Sequence, residues 1–357
     1  MKKILTVIGA RPQFIKAAAV SRVIRKTGRI KEVIIHTGQH FDNNMSAVFF
    51  KEMDIPEPDY HLEINSLSHG AMTGRMIENI EQVLLSEKPE LVMVYGDTNS
   101  TLAGALAAKK LNIRVAHIEA GLRSFNMKMP EEVNRILTDR ISDLLFCPTD
   151  TAVNNLHQEG YQNFKCQIQK VGDVMYDAAL YYGAMSSQRS DIIRRLKITS
   201  GNFVLCTIHR QENTDNMENL KSIIVALNEI NQHRAVVFPL HPRTRKILFQ
   251  HNIRPEFNPI EPVGYFDIME LLKHCNLVIT DSGGMQKEAY FFNKYCITAR
   301  AETEWTELVN NNYNYLAGAD SDKILHCYRL LQSKELVNVH EFYGAGDAAQ
   351  KITGLII

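Results

Sequence analysis

Short, nearly unbroken apolar runs recur along the chain, each followed by a stretch whose apolar positions return with helical spacing. In the first half the runs are KILTVIG, EVIIHT, LVMVYG, RVAHIEA and LLFCPT, and segments such as FIKAAAVSRVIRK and AMTGRMIENIEQVLLSEK lie between them. The second half repeats the scheme with FVLCTIH, AVVFPLH, LVITDS and YCITA. A strand that is apolar on both faces belongs in a parallel sheet covered by helices on both sides. Because the alternation occurs twice, with a link at residues 165–200, the pattern predicts an α/β fold. It should contain two doubly wound, parallel-sheet, Rossmann-like domains facing across a cleft, the first over 1–170 and the second over 171–335.

The length of 357 residues fits two domains, and 45% hydrophobic residues suffice for two cores. Lys+Arg and Asp+Glu are both 40, so no global field draws the chain to nucleic acid or to an anionic membrane. Any anion binding must be local. The six cysteines are scattered and form no CxxC pair, which reads as buried, reduced thiols in a cytoplasmic protein. The start, MKKILTVIGARPQF, reads as a first strand, because its apolar run is short and Arg-Pro-Gln follows instead of a cleavage site. No apolar run is long enough to span a membrane.

In doubly wound sheets ligands bind beyond the carboxyl ends of the strands, so the residues there carry the chemistry. After the first run comes GARPQFIK, where Arg11 and Lys16 flank a helix start. They either strengthen an anion site or are solvated charges on a Pro-started helix. GxGxxG is absent, so the dinucleotide fingerprint fails. Asp97 follows LVMVYG and could be only an N-cap. Glu119 follows RVAHI and precedes Gly121, which is harder to explain structurally. Pro130 accounts for Glu131 and Glu132 in part, as first-turn acids favoured by the helix dipole, and Arg135 lies one turn on.

In the second half His209 and His241 end two strands. One such histidine reads as structural, but two raise the weight of a site. No HExxH or Cys/His spacing appears, and His36 and His40 straddle a strand end and a loop, so no metal is expected. The sharpest phosphate signal is LVITDSGGMQKEA: a strand runs into Ser282-Gly283-Gly284 and then a helix. Glycines let a diphosphate approach the backbone, and the helix start offers N–H donors. Glu288, farther along, could accept from ribose hydroxyls.

These segments resemble the non-hydrolysing UDP-N-acetylglucosamine 2-epimerases. The matching motifs are GARPQFIK at 9–16, GQH at 38–40, GDTNSTLA at 96–103, HIEAGLR at 117–123, PEEVNR at 130–135, HRQEN at 209–213, TDSGG at 280–284 and YGAGDA at 343–348. They run collinearly over nearly the whole chain. The resemblance implies the GT-B fold, with 336–357 returning as a C-terminal helix to the first domain, and a homodimer without cofactor. It implies inversion at C2 of a UDP-2-acetamido sugar for surface-polysaccharide precursors. Three departures stand out. The family's HRRE is HRQE here, Trp305 stands where an arginine is usual, and Ile268 stands where an aromatic is expected. ETEW resembles the branch acting on UDP-2,3-diacetamido-2,3-dideoxyglucuronate.

The implied chemistry is elimination of UDP to a 2-acetamidoglucal and re-addition. Asp97, Glu119 and Glu131 would handle protons at C2, with His209 as a further catalytic group. Arg11, Lys16, His209 and Ser282, Gly283 and Gly284 would hold the diphosphate, Glu288 the ribose, and Val263 and Ile268 the uracil, with Arg135 and His241 as further binding candidates. A GT-B glycosyltransferase with a UDP-sugar donor is the alternative of another class.

Overall fold

The computed structural model describes residues 1–39, 56–337 and 341–357; His40 lies outside them. The chain forms two compact units, Met1–Leu180 with Glu341–Ile357, and Tyr181–His340. The division falls inside the helix Val174–Arg189, whereas the expected boundary was residue 170.

The first unit is a seven-stranded sheet. Its strands are β1 (Lys2–Ile8), β2 (Ile30–His36), β3 (Tyr60–His61), β4 (Leu91–Tyr95), β5 (Arg114–Ile118), β6 (Leu144–Cys147) and β7 (Gln167–Lys170). They lie in the order β3-β2-β1-β4-β5-β6-β7, and every pair is parallel. The chain winds outward in both directions from β1 and β4, so a topological switch point lies between them. All five residues of β4 are buried. Val92 and Val94 share one core with Met76 and Ile80 of the helix His69–Glu87 and with Ala103 and Ala107 of the helix Asn99–Lys110. That second helix is alanine-rich and carries Gly104, where a Cβ would lie 3.0 Å from Val7. Small residues therefore let it lie close on the sheet.

The second unit has five parallel strands, β8 (Phe203–Thr207), β9 (Ala235–Val237), β10 (Leu277–Thr280), β11 (Cys296–Thr298) and β12 (Asn314–Leu316), in the order β12-β11-β10-β8-β9. Its switch point lies between β8 and β10. Cys206, Phe238, Ile279 and Ile297 pack with Leu220, Ile223 and Leu227 of the helix Met217–Asn231.

Three strands escaped the apolar-run reading: β3, β7 and β12. All are sheet edges. β7 reads QIQK and none of its residues is buried, because an edge strand is covered only in part. Expected strand AVVFPLH stops at Val237; Pro239 has no N–H for a ladder and makes one isolated bridge with Ile260.

The chain's end belongs to the first unit. The Asp173 amide donates to the Tyr343 carbonyl at 2.9 Å. The helix Ala348–Ile356 packs on the helix Arg11–Thr27, and the Asp177 carboxylate accepts from the Ala348 and Ala349 amides at 3.2 and 2.9 Å.

Candidate active site

At the carboxyl end of β5 the backbone turns sharply. Glu119 has φ +74°, a left-handed conformation that costs a non-glycine residue about 1–2 kcal/mol. The amides of Glu119 and Ala120 both donate to the Phe146 carbonyl of β6 at 3.1 Å, which holds the turn. Strain of this kind persists only where the surroundings over-determine it. The Glu119 carboxylate pairs with the ammonium of Lys16, which projects from the helix following β1. Both side chains are about nine-tenths buried, so Lys16 is no solvated helix charge. Gly96, at the end of β4, lies against the pair: a Cβ there would be 3.3 Å from Glu119 Oε2 and 3.4 Å from Lys16 Nζ. The ends of β1, β4 and β5 thus converge at the switch point.

Asp97 follows Gly96 and pairs with Arg135 from the helix Pro130–Ile141. It is not the N-cap of the next helix; Thr98 is. The adjacent acids on the helix Pro130–Ile141 part company. Glu132 is fully buried, binds Arg135 at 2.7 Å, and accepts from the Ser124 amide and hydroxyl and the Phe125 amide at 2.9 Å. It builds the loop. Glu131 is exposed, and its carboxylate makes no hydrogen bond or ion pair among the described residues. The structure therefore joins Lys16 to Glu119 and Asp97 to Arg135 around Gly96, and ties Glu131 to none of them. Arg11 is half-buried at the first position of its helix.

Sequence reasoning missed two supports of this site. Gln13 is buried beneath the turn after β1. Its Oε1 accepts from the Gly9 and Ala10 amides at 2.8 and 3.0 Å, and its Nε2 donates to the Tyr95 carbonyl at 2.7 Å. One amide side chain thus stitches the end of β1 to the end of β4. The second support is a buried chain of charges. His117 on β5 meets Asp139, Asp139 meets Arg123 at 2.7 Å, and Arg123 makes two bonds to Glu159 at 2.7 and 2.8 Å. Its polar residues are scattered over more than 40 positions, so no short motif reveals them.

In the second unit the candidates flank the switch point between β8 and β10. Asp281 is fully buried after β10 and accepts from the His209 amide at 3.1 Å, the Arg210 amide at 3.0 Å and Asn213 Nδ2 at 3.1 Å. It pins the His209 segment beside Ser282. The His209 ring lies 3.8 Å from Asp281 and 5.7 Å, centre to centre, from the ring of His241. Burial pushes the His209 pKa down, opposed by Asp281 and assisted by Arg210, which favours the neutral ring. His241 is exposed and caps the helix Pro242–Gln250 through Nδ1, a structural duty. Ser282 caps the helix Gly283–Phe291. Gly284 is open, with nothing among the described residues within 4 Å of a Cβ built there, whereas a Cβ on Gly283 would meet Trp305, Glu304 and Arg210 at 3.6–3.8 Å. Glu288 is buried and accepts from the Tyr265 hydroxyl at 3.4 Å. Val263 and Ile268 are half-buried, Ile268 in the first turn of the helix Tyr265–His274. A hollow of about 810 Å³ lined by Ser187, Arg189, Lys197 and Glu270 contains none of these groups.

The sequence model described as UDP-N-acetylglucosamine 2-epimerase matches residues 22–357. A Pseudomonas aeruginosa UDP-2,3-diacetamido-2,3-dideoxy-D-glucuronate 2-epimerase is 54% identical over 98% of both chains. The chain belongs to the UDP-N-acetylglucosamine 2-epimerase family. A Methanococcus maripaludis UDP-N-acetylglucosamine 2-epimerase is 44% identical over 100% of this chain and 98% of its own. The Methanocaldococcus jannaschii UDP-GlcNAc 2-epimerase, crystallised with UDP-GlcNAc and UDP, is 41% identical, covers 99% of this chain and 98% of its own, and superposes with a TM-score of 0.89. The two parallel-sheet units are thus the GT-B fold of this epimerase family. Within the family pattern, Trp305 is the departure with a visible environment. It is buried, and the Lys287 ammonium lies 4.0 Å from its ring centre, a cation–π contact. Arg300 beside it binds Glu304 and Glu212 at 3.1 Å.

Proposed function

We propose that this family member inverts C2 of a UDP-2-acetamido sugar by elimination and re-addition. A carboxylate removes the C2 proton as the C1–O bond breaks. The C–H electrons form the C1=C2 bond, and UDP departs with the C–O pair. UDP then adds back to C1 as a proton reaches the opposite face of C2. Asp97, Glu119 and Glu131 handle these protons, each step being worth about 10²–10⁴-fold. Lys16 and Arg11 offset the negative charge, while the Ser282–Gly284 helix start and His209 hold the diphosphate. Glu288 takes the ribose, and Val263 and Ile268 the uracil. The observation that carries this reading is the buried Lys16–Glu119 pair on a strained strand end, one glycine away from Asp97.

Two sugars fit: UDP-N-acetylglucosamine, and UDP-2,3-diacetamido-2,3-dideoxyglucuronate. The 54% identity to the Pseudomonas aeruginosa enzyme, against 44% and 41% to the two N-acetylglucosamine enzymes, favours the second, as does the ETEW segment with Trp305. The same reading makes the protein a cytoplasmic homodimer that supplies surface-polysaccharide precursors; its six free cysteines suit a reducing compartment. The test is NMR in D₂O with each UDP-sugar offered separately. Expected is the 2-epimer with deuterium at C2, faster from the diacetamido uronate. Free 2-epimeric sugar plus UDP would indicate a hydrolysing enzyme, and no product from either sugar alone would favour a glycosyltransferase.

A further inference from the structure

His117 is fully buried on β5, and both its ring nitrogens face acceptors. Nε2 lies 2.7 Å from the Gly96 carbonyl, and Nδ1 lies 2.7 Å from Asp139 Oδ1. A carbonyl can only accept, so Nε2 carries a hydrogen. The Nδ1 contact needs one proton, either on the ring or on the acid. Asp139 Oδ2 already accepts from Arg123 at 2.7 Å and from the Gly121 amide at 3.1 Å. A carboxylate that binds a guanidinium and a backbone amide is held ionised. The proton therefore sits on the ring.

The two partners of the ring lead to the turns that matter, Gly96 directly and Asp139 through the Gly121 amide. Gly96 immediately precedes Asp97, and Gly121 lies two residues after Glu119. We propose that His117 is a positioning residue held as an imidazolium, which through Gly96 and Asp139 fixes the turns carrying Asp97 and Glu119. It rests on the reading of those two carboxylates as the reacting groups. The charges around it balance: His117 and Arg123 are cationic, Asp139 and Glu159 anionic. Cys147 and Tyr161, which also lie near Asp139, are pushed up by burial and stay neutral. Asp139 itself is buried, yet His117 and then Arg123 draw its pKa below the usual carboxylate range. A neutral histidine could hold only one of these acceptors, and a leucine neither.

The first measurement needs no variant. In enzyme labelled with ¹⁵N-histidine, the assigned His117 ring should give a signal with hydrogens on both nitrogens. Asp139→Asn should abolish it. A His117 ring with one bare nitrogen overturns the proposal. The second measurement is kinetic. His117→Leu should lower kcat about 10–100-fold while UDP binding stays unchanged. His117→Gln, whose amide can donate to the Gly96 carbonyl, should recover part of the loss. Unchanged kcat in His117→Leu, or no recovery in a folded His117→Gln, refutes the positioning role. If the wild-type enzyme epimerises neither sugar, the functional reading fails, and the imidazole spectrum still decides the charge of His117.

Discussion

Gly96 offers the sharpest test of where the proposed chemistry lies, because a single methyl group there reaches the Lys16–Glu119 pair and little else. Gly96 has φ +64°, so alanine would suffer left-handed strain of about 1 kcal/mol. Its Cβ would also stand 3.3 Å from Glu119 Oε2 and 3.4 Å from Lys16 Nζ, tighter than ordinary carbon–heteroatom packing. Both atoms are side-chain ends, but both are buried and bound to each other, so neither can give way alone. The stability cost should be about 1–2 kcal/mol, and a domain of this size loses about 2–4 °C in Tm per kcal/mol. The catalytic cost should be far larger. If Glu119 handles protons as proposed, shifting it and its cation by a few tenths of an ångström should lower kcat about 10–100-fold, with UDP affinity unchanged.

Two further glycines separate the causes. Gly28 ends the helix Arg11–Thr27 at φ +62° with nothing among the described residues within 4 Å of an added Cβ, so Gly28→Ala carries strain alone and should leave kcat intact. At Gly121, φ +80°, a Cβ would strike the Ala152 carbonyl at 2.4 Å. Backbone cannot swing aside, so Gly121→Ala should be severely destabilised, by more than about 3 kcal/mol. The assays are thermal melts, UDP titration and steady-state epimerisation for all three variants. If Gly96→Ala matches Gly28→Ala in both Tm and kcat, the Lys16–Glu119 pair does not serve the reaction.

Other expectations concern the supports. Gln13→Leu leaves the Gly9 and Ala10 amides and the Tyr95 carbonyl short of a partner and should cost about 2–4 kcal/mol in urea unfolding; a loss below about 1 kcal/mol would show that water or a neighbour substitutes. Asp281→Asn keeps a single acceptor for the amides of His209 and Arg210, so calorimetry should show weaker UDP binding, about tenfold, and unchanged affinity would detach this turn from the nucleotide. Asp177 is pushed up to about 6 by burial, with Asp173 and Asp347 adding to the rise and its two amide bonds opposing it. Folded protein then binds more protons than unfolded protein between about pH 4 and 6, so stability should fall as pH rises through that window, by at most about 3 kcal/mol. Asp177→Asn should flatten that slope in Tm measured against pH; an unchanged slope would assign it to another group.

The parts of this protein that sequence reveals are those where one physical demand fixes several neighbouring residues. A strand buried on both faces must be apolar at every position, so β1, β4 and β8 announce themselves. An edge strand carries no such demand. QIQK at β7 is covered in part on either side, and its composition is that of a loop. The site divides the same way. A strand end followed by a helix places Asp97, Glu119 and Ser282 at fixed offsets from an apolar run, and those offsets are legible. His117, Asp139, Arg123 and Glu159 answer to a demand that is local only in space. Each needs a partner of opposite charge, and the chain supplies it from a strand, a loop, a helix and the residue that ends another helix. His117 illustrates why this escapes a linear reading: inside the run RVAHI it occupies a core position, where one histidine among apolar residues reads as packing. Its meaning lies in two acceptors, one 21 residues before it and one 22 after. Nor does the Pro-Glu-Glu start of the next helix say which acid builds the loop and which stays exposed. Glu132 is committed by three donors at residues 124 and 125, whereas Glu131, one position away on the helix, points its charge to solvent. Of the three acids proposed to handle protons, Glu119 and Asp97 are each held by a cation, and Glu131 is the one left open to solvent, while Glu132 is spent on building the loop. The division between Glu131 and Glu132 therefore leaves one of two identical neighbouring side chains to the proposed chemistry.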